Sequence, residues 1–306
     1  MKIMQVIKGS GGIYTVLNGN QQLTAIARGK LKESKVLIGD YVSVQEISGE
    51  TIITAVEPRK NELIRPVVAN IDNMCIIIAP TPKPDFSVVD KQLLKCYQLG
   101  IKPIICINKT DIADKNFVNE IKSIYNFVEV VQISAKHNTG IIELKNKLAN
   151  GLTALSGQSA VGKSSLINCL DNNKQLKTDG LCAKAERGKH TTKHSEIHII
   201  NELLIIDTPG FSSLDIVNIE PSEIAYLMPD FVSYSANCKF QPCTHITEPE
   251  NCCAVKKAVA NNEISQERYK NYIEIYSSIK PEWEKKKRNV KNPNFSFNTP
   301  RKKSHK

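Results

Sequence analysis

The stretch from Leu152 to Leu170 constrains the fold of this chain more than any other. A short apolar run, Leu152 to Leu155, leads into Gly157-Gln158-Ser159-Ala160-Val161-Gly162-Lys163-Ser164-Ser165, with the spacing G-x-x-x-x-G-K-S. Leu166, Ile167 and Leu170 follow at helical spacing. Strand, glycine-framed loop and helix in that order make a phosphate-binding loop. The glycines let successive N–H groups converge on an anion, and the helix N-terminus adds partial positive charge. Lys163 then reaches the β- and γ-phosphates, and the Ser164 hydroxyl is placed to bind Mg²⁺. Nucleotide binding is the first expectation.

The segments before this loop agree with it. From residue 71, apolar strands alternate with helical stretches: Asn73–Ala79, Val88–Leu99, Pro103–Ile107, Phe117–Tyr125, Val128–Ile133 and Ile141–Leu148. Such alternation predicts an α/β domain with a mainly parallel sheet, whose ligand loops lie at the carboxyl ends of the strands. After the second strand comes Asn108-Lys109-Thr110-Asp111. A carboxylate at Asp111 accepts from guanine N1–H and the 2-amino group together, and adenine offers no such pair. After the third strand comes Ser134-Ala135-Lys136, whose backbone faces the base from the other side.

After Leu203–Ile206 comes Asp207-Thr208-Pro209-Gly210. Asp207 can hold Mg²⁺ through water, and the Gly210 N–H can bond the γ-phosphate and release it on hydrolysis. In the intervening Arg187-Gly188-Lys189-His190-Thr191-Thr192, a threonine hydroxyl completes the Mg²⁺ shell, with Thr192 favoured over Thr191. An ATPase or small-molecule kinase fits the phosphate loop but not Asn108-Lys109-Thr110-Asp111.

Residues 1–60 read as five short strands broken by glycine turns, which predicts a small barrel, an OB-fold or an SH3-like barrel. Arg28, Lys30, Lys32 and Lys35 cluster there, as a phosphate contact or a solvated loop. The chain has a formal charge of +10, and residues 280–306 hold ten Lys or Arg against two Glu. Charge of that sign points to a polyanionic partner. No apolar stretch approaches the roughly 18 residues needed to span a membrane, so a soluble, cytoplasmic protein is expected. Of nine cysteines, Cys75, Cys96, Cys106, Cys169 and Cys182 read as small core residues. The others crowd together as Cys238-x4-Cys243-x-His245 followed by Cys252 and Cys253. Three thiolates and one imidazole make a closed tetrahedral site for one structural Zn²⁺, with Cys252 or Cys253 as the last ligand.

The guanine-recognition motifs precede the phosphate loop, which precedes Asp207-Thr208-Pro209-Gly210. They are the elements of a translation-factor-type GTPase in circularly permuted order. From about residue 10 to 285 the chain closely resembles the ribosome small-subunit-dependent GTPase family. That resemblance implies an RNA-binding OB-fold over 1–64, a circularly permuted GTPase domain over 65–218 and a zinc-binding helical domain over 219–290. A disordered basic tail over 291–306 is expected beyond them. The resemblance also implies a cytoplasmic monomer that binds GTP or GDP with Mg²⁺. Its implied partners are the small ribosomal subunit and its rRNA, and no membrane. It implies late subunit maturation with subunit-stimulated hydrolysis. The helix that follows the last ligand in the family aligns with Ala254–Val259 and favours Cys253. Phe211 stands where many GTPases keep a water-orienting Gln, so His190, which matches a histidine of the family, is the expected catalytic group. An RNA-binding module that uses GTP only as a latch, with negligible turnover, is the competing expectation. Residues 254–287 read as two helices, with Tyr269, Tyr272, Ile273 and Tyr276 on a core face.

Overall fold

Five strands close a barrel at the N-terminus: β1 (Lys2–Ser10), β2 (Ile13–Asn18), β3 (Gln21–Ala27), β4 (Tyr41–Ile47) and β5 (Glu50–Val56). The computed structural model describes residues 2–29, 31, 36–64, 67–171, 196–207 and 219–290. The barrel order is β1-β2-β3-β5-β4, with β3 and β5 parallel and β1 closing antiparallel on β4. That order is an OB-fold, so the SH3-like alternative falls away. Met4, Val6, Val16, Ala25, Val42 and Ile53 fill the interior. The two compact units of the chain are Met1–Asp215, which holds this barrel, and Ile216–Lys306.

In the first unit, β6 (Glu62–Ile64) and β7 (Val67–Ala69) pair antiparallel. The described strands β8 (Asn73–Ile78), β9 (Lys102–Ile107), β10 (Glu129–Gln132), β11 (Leu152–Gly157), β12 (Ile197–Ile200) and β13 (Leu203–Asp207) form one sheet. Its order is β10-β9-β8-β11-β13-β12, parallel except for the edge strand β12. Every residue of β8 is buried, as expected of a strand covered on both faces. Met74, Ile76 and Ile78 face α1 (Phe86–Leu99) and α2 (Lys115–Ile124). Cys75 and Ile77 face α3 (Ile141–Leu148) and α4 (Lys163–Leu170). Asp85 caps α1 by accepting from the N–H groups of Ser87 and Val88, and Asp114 caps α2 by accepting from Phe117.

A polar clasp joins the barrel to the sheet. Asp40, with a fully buried side chain, accepts from Arg59 Nε at 2.7 Å and Nη2 at 2.9 Å, and from the Leu37 N–H at 2.7 Å. Asn70 donates to the Gly39 carbonyl at 3.0 Å, and Asn61 pairs with the Ile71 backbone.

The second unit contains a 3-10 turn (Pro221–Leu227), α5 (Pro229–Ser235), α6 (Ala254–Ala260) and α7 (Gln266–Val290). Phe231 sits at its centre, with its ring centroid 4.9 Å from that of Tyr272. The buried stripe of α7 runs through Arg268, Asn271, Tyr272, Ile275 and Ile279. It is rotated from the expected face, because Arg268 is buried in a two-pronged pair with Asp230, Nε–Oδ2 3.1 Å and Nη2–Oδ1 2.8 Å. Of the four expected residues, Tyr272 alone is fully buried. No described helix is long and apolar enough to cross a membrane.

Candidate nucleotide site and metal centre

The parallel strands deliver their carboxyl ends to one edge of the sheet, where the expected loops converge. β9 ends at Ile107, just before Asn108, β10 leads to Ser134, β11 runs into the glycine loop, and β13 ends at Asp207. Asp207 lies in register with Leu155, level with the start of that loop.

Asn108 is buried and joins three loops. Its Nδ2 donates to the Val161 carbonyl at 2.9 Å, and its Oδ1 accepts from the N–H groups of Lys109 at 2.8 Å and Ala135 at 3.1 Å. Lys109 has a positive φ of 60° and donates through Nζ to the carbonyls of Thr81 and Ala160, both at 2.8 Å. Asp111 Oδ1 accepts from the Ser134 hydroxyl at 2.6 Å, and His137 Nε2 stands 3.8 Å from Oδ2. The Ser134 hydrogen bond holds the Asp111 carboxyl below its ordinary pKa, so it stays ionised and acceptor-only. Thr110 sits in the same turn, its N–H donating to the Ile133 carbonyl at 3.2 Å.

The glycine loop is shaped by close packing. Gly162 has φ +99°, and a β-carbon there would lie 2.3 Å from Asn108 Nδ2. A β-carbon on Gly157 would lie 2.4 Å from the Ile77 carbonyl oxygen. Lys163 Nζ donates to the carbonyls of Gly157 at 2.6 Å and Gln158 at 3.0 Å, which curls the loop around its own lysine. Ser159 and Ala160 are exposed at its tip, Val161 is buried beneath it, and Ser164 and Ser165 are half-buried in the first turn of α4. The leading N–H groups of a helix lack intrahelical acceptors and make an anion cradle.

A cleft of about 490 Å³ lies beside this loop, lined by Asn108, Asp111, Ala135, Gly162 and Ser165. That volume suits a nucleoside-sized ligand. Lys136, from the Ser134-Ala135-Lys136 loop, also lines it, as do Ile112, Asn168 and Cys169, which the motifs do not include. Cys169 differs from the buried Cys75, Cys96 and Cys106, because it is half-exposed and its thiol donates to the Ala135 carbonyl at 2.8 Å. The spacing of Gly162, Ser165 and Cys169 along one face of α4 was the signal available for it. His190, Thr191, Thr192, Gly210 and Phe211 lie outside the described residues, as do Lys30, Lys32, Lys35, Cys182 and residues 291–306.

In the second unit the ligand atoms of Cys238, Cys243, His245 and Cys253 lie within 4.8 Å of one another, and all four residues are buried. His245 Nδ1 is 3.6 Å from Cys238 Sγ and 3.4 Å from Cys253 Sγ, and Cys243 Sγ is 3.9 Å from Cys253 Sγ. Tetrahedral Zn²⁺ with ordinary Zn–S and Zn–N lengths needs S···N edges of about 3.5 Å and S···S edges of about 3.8 Å. The donor set and its spacing therefore fit zinc. Burial pushes the Cys243 thiol up to about 12, a cost that a bound cation offsets by holding the thiolate. Cys252, half-exposed in the turn before α6, is outside the cluster. The Cys238 and Cys253 sulfurs accept from the N–H groups of Ala254 at 3.3 Å and Lys256 at 3.5 Å.

A phosphate loop interlocked with a guanine-type loop that precedes it in the chain defines a circularly permuted P-loop GTPase. A family model described as RsgA GTPase matches residues 56–217. The small ribosomal subunit biogenesis GTPase RsgA of Clostridium beijerinckii is 37% identical over 289 residues, covering 91% of this chain and 99% of its own. The protein of the same name from Agathobacter rectalis is 40% identical over 296 residues, covering 90% and 97%. YjeQ from Thermotoga maritima superposes with a TM-score of 0.76 at 30% identity, over 90% of this chain and 97% of its own. YloQ, described as a circularly permuted GTPase, superposes at 0.77 and 30%, over 92% and 96%. The chain belongs to the RsgA GTPase family.

Proposed function

We propose that this chain hydrolyses GTP to GDP and phosphate in the late maturation of the small ribosomal subunit, with the subunit stimulating turnover. The interlock of Asn108 with Val161 and Ala135 carries this reading, because it holds a purine-reading loop and a phosphate cradle in one rigid cleft. Asp111 reads guanine N1–H and the 2-amino group, with Ser134 and Ala135 on the other edge and Lys109 and Thr110 shaping the turn. The N–H groups of Gly157, Gln158, Ser159, Ala160, Val161, Gly162 and Ser165 surround the phosphates, and Lys163 bonds the β- and γ-oxygens. Ser164, Thr192 and Asp207 hold Mg²⁺, which supplies charge neutralisation on the phosphates when bound. Gly210 is assigned as the N–H donor to the γ-phosphate.

His190 orients the attacking water, because Phe211 lacks any group able to do so. Residues 1–64 and the basic stretch 291–306 contact rRNA, residues 65–218 carry the nucleotide, and residues 219–290 are held by one Zn²⁺ on Cys238, Cys243, His245 and Cys253. The protein acts as a monomer in the cytoplasm.

The test is GTP turnover measured with and without purified small subunits. Stimulation by the subunit supports the reading, whereas tight GTP binding with negligible turnover under both conditions favours a latch. Replacing His190 with Ala should leave GTP affinity intact and abolish the stimulated rate.

A further inference from the structure

We infer that Ser235, at the end of α5, is a positioning residue that selects Nδ1 of His245 as the metal-binding nitrogen; this rests on the zinc reading above. A serine hydroxyl has one proton. Ser235 Oγ donates to the Phe231 carbonyl at 2.8 Å, one turn back along α5. The same oxygen stands 3.2 Å from His245 Nε2. Its proton is committed, so Oγ accepts, and the imidazole proton sits on Nε2. The lone pair is then on Nδ1, the nitrogen facing the sulfurs of Cys238 and Cys253 at 3.6 and 3.4 Å. The opposite tautomer would turn an N–H toward the thiolates and could not ligate. Outer partners of this kind fix the tautomer and orientation of ligating histidines.

The backbone is arranged to hold that ring in place. His245 has φ +58°, a left-handed conformation unusual for a residue with a side chain. The Tyr269 hydroxyl donates to the His245 carbonyl at 2.7 Å. On either side, the Thr244 and Ile246 N–H groups donate to the Glu248 carboxylate at 2.9 and 3.2 Å. The Phe231 ring stands edge-on to the imidazole, with centroids 6.2 Å apart. Within this frame Ser235 Oγ is the hydrogen-bond partner that faces Nε2.

The test uses the full-length chain as wild type, Ser235→Ala and Ser235→Thr. Metal affinity is measured by competition with a chelator for Zn²⁺, and by the thiolate charge-transfer bands of Co²⁺. Wild type should bind one ion. Ser235→Ala should weaken binding about 10–100-fold, and Ser235→Thr, which keeps the hydroxyl, should restore it. Nitrogen-15 NMR of the zinc-loaded wild type should show the His245 proton on Nε2, a reading that does not depend on any variant folding. Ser235→Ala binding metal as tightly as wild type, or a proton on Nδ1, overturns the inference while leaving the zinc site standing. A wild-type chain that binds neither ion removes the zinc site and the inference together.

Discussion

The amide nitrogen of Asn108 lies 2.3 Å from where a β-carbon on Gly162 would stand. The two residues are far apart in sequence, and each closes the space around the other. Asn108 can reach the Val161 carbonyl only because Gly162 has no side chain. In the permuted chain, this contact locks the base-reading loop to the phosphate loop that follows it much later.

Gly162→Ala should therefore abolish GDP binding while the barrel stays folded. The added carbon must displace Asn108, and a non-glycine residue at φ +99° costs roughly 1–2 kcal/mol more. Titration with a fluorescent GDP analogue checks affinity, and circular dichroism checks the fold. Retained affinity would show that the interlock is dispensable.

Guanine selectivity should be insensitive to mild acid. The Ser134 hydroxyl depresses the Asp111 pKa, so the carboxylate stays charged as pH falls toward its ordinary value near 3.9. Selectivity is present above that range and lost only as pH drops through the depressed folded value. The ratio of GDP to ADP affinity should be flat from about pH 8 to pH 5, because the terminal phosphate titrates alike in both. Ser134→Ala removes the bond and should move the acid loss to higher pH, which a binding titration across pH reads directly.

Arg59→Ala should destabilise the first unit strongly. It leaves the buried Asp40 carboxylate with the Leu37 N–H but without its guanidinium. Unpairing a buried charge costs about 3–5 kcal/mol, and the partial exposure of Arg59 places the loss near the lower bound. For a unit this size, that corresponds to a fall in Tm of about 6–12 °C. Arg59→Lys should recover little, since lysine cannot make the two-pronged contact. A shift under about 2 °C would show that water replaces the arginine.

Chelation of zinc should unfold residues 219–290 locally, seen as faster hydrogen exchange at Phe231 and Tyr272, which pack beside the ligands. Cys253→Ser should lose the metal, and Cys252→Ser should keep it. The reverse result would mean that the turn before α6 rearranges to present Cys252.

Much of the fold was legible because its signals are local. The apolar strands, the phosphate loop and the permuted order of the guanine motifs each show in a few adjacent residues. Four features were not. β6 and β7 are three residues each, too short for any periodicity to register. The buried face of α7 includes Arg268, and hydropathy cannot show that a charged residue has a buried partner 38 positions away in Asp230. Cys169 reads as a core thiol until the fold brings Ala135 beside it, because its spacing puts it on the face of Gly162 and Ser165 without saying what that face borders. The Asp40–Arg59 clasp likewise joins residues whose pairing no spacing rule specifies.

Nucleotide choice in this chain rests on Asp111 reading the purine. Calorimetric titration of the purified chain with GDP and with ADP, in Mg²⁺, tests it most directly. Two hydrogen bonds to a charged carboxylate predict GDP bound at least about 100-fold tighter than ADP. Asp111→Asn should erase that margin and improve binding of xanthosine diphosphate, whose 2-carbonyl accepts from the new amide. Equal affinity of the wild-type chain for GDP and ADP would contradict the account.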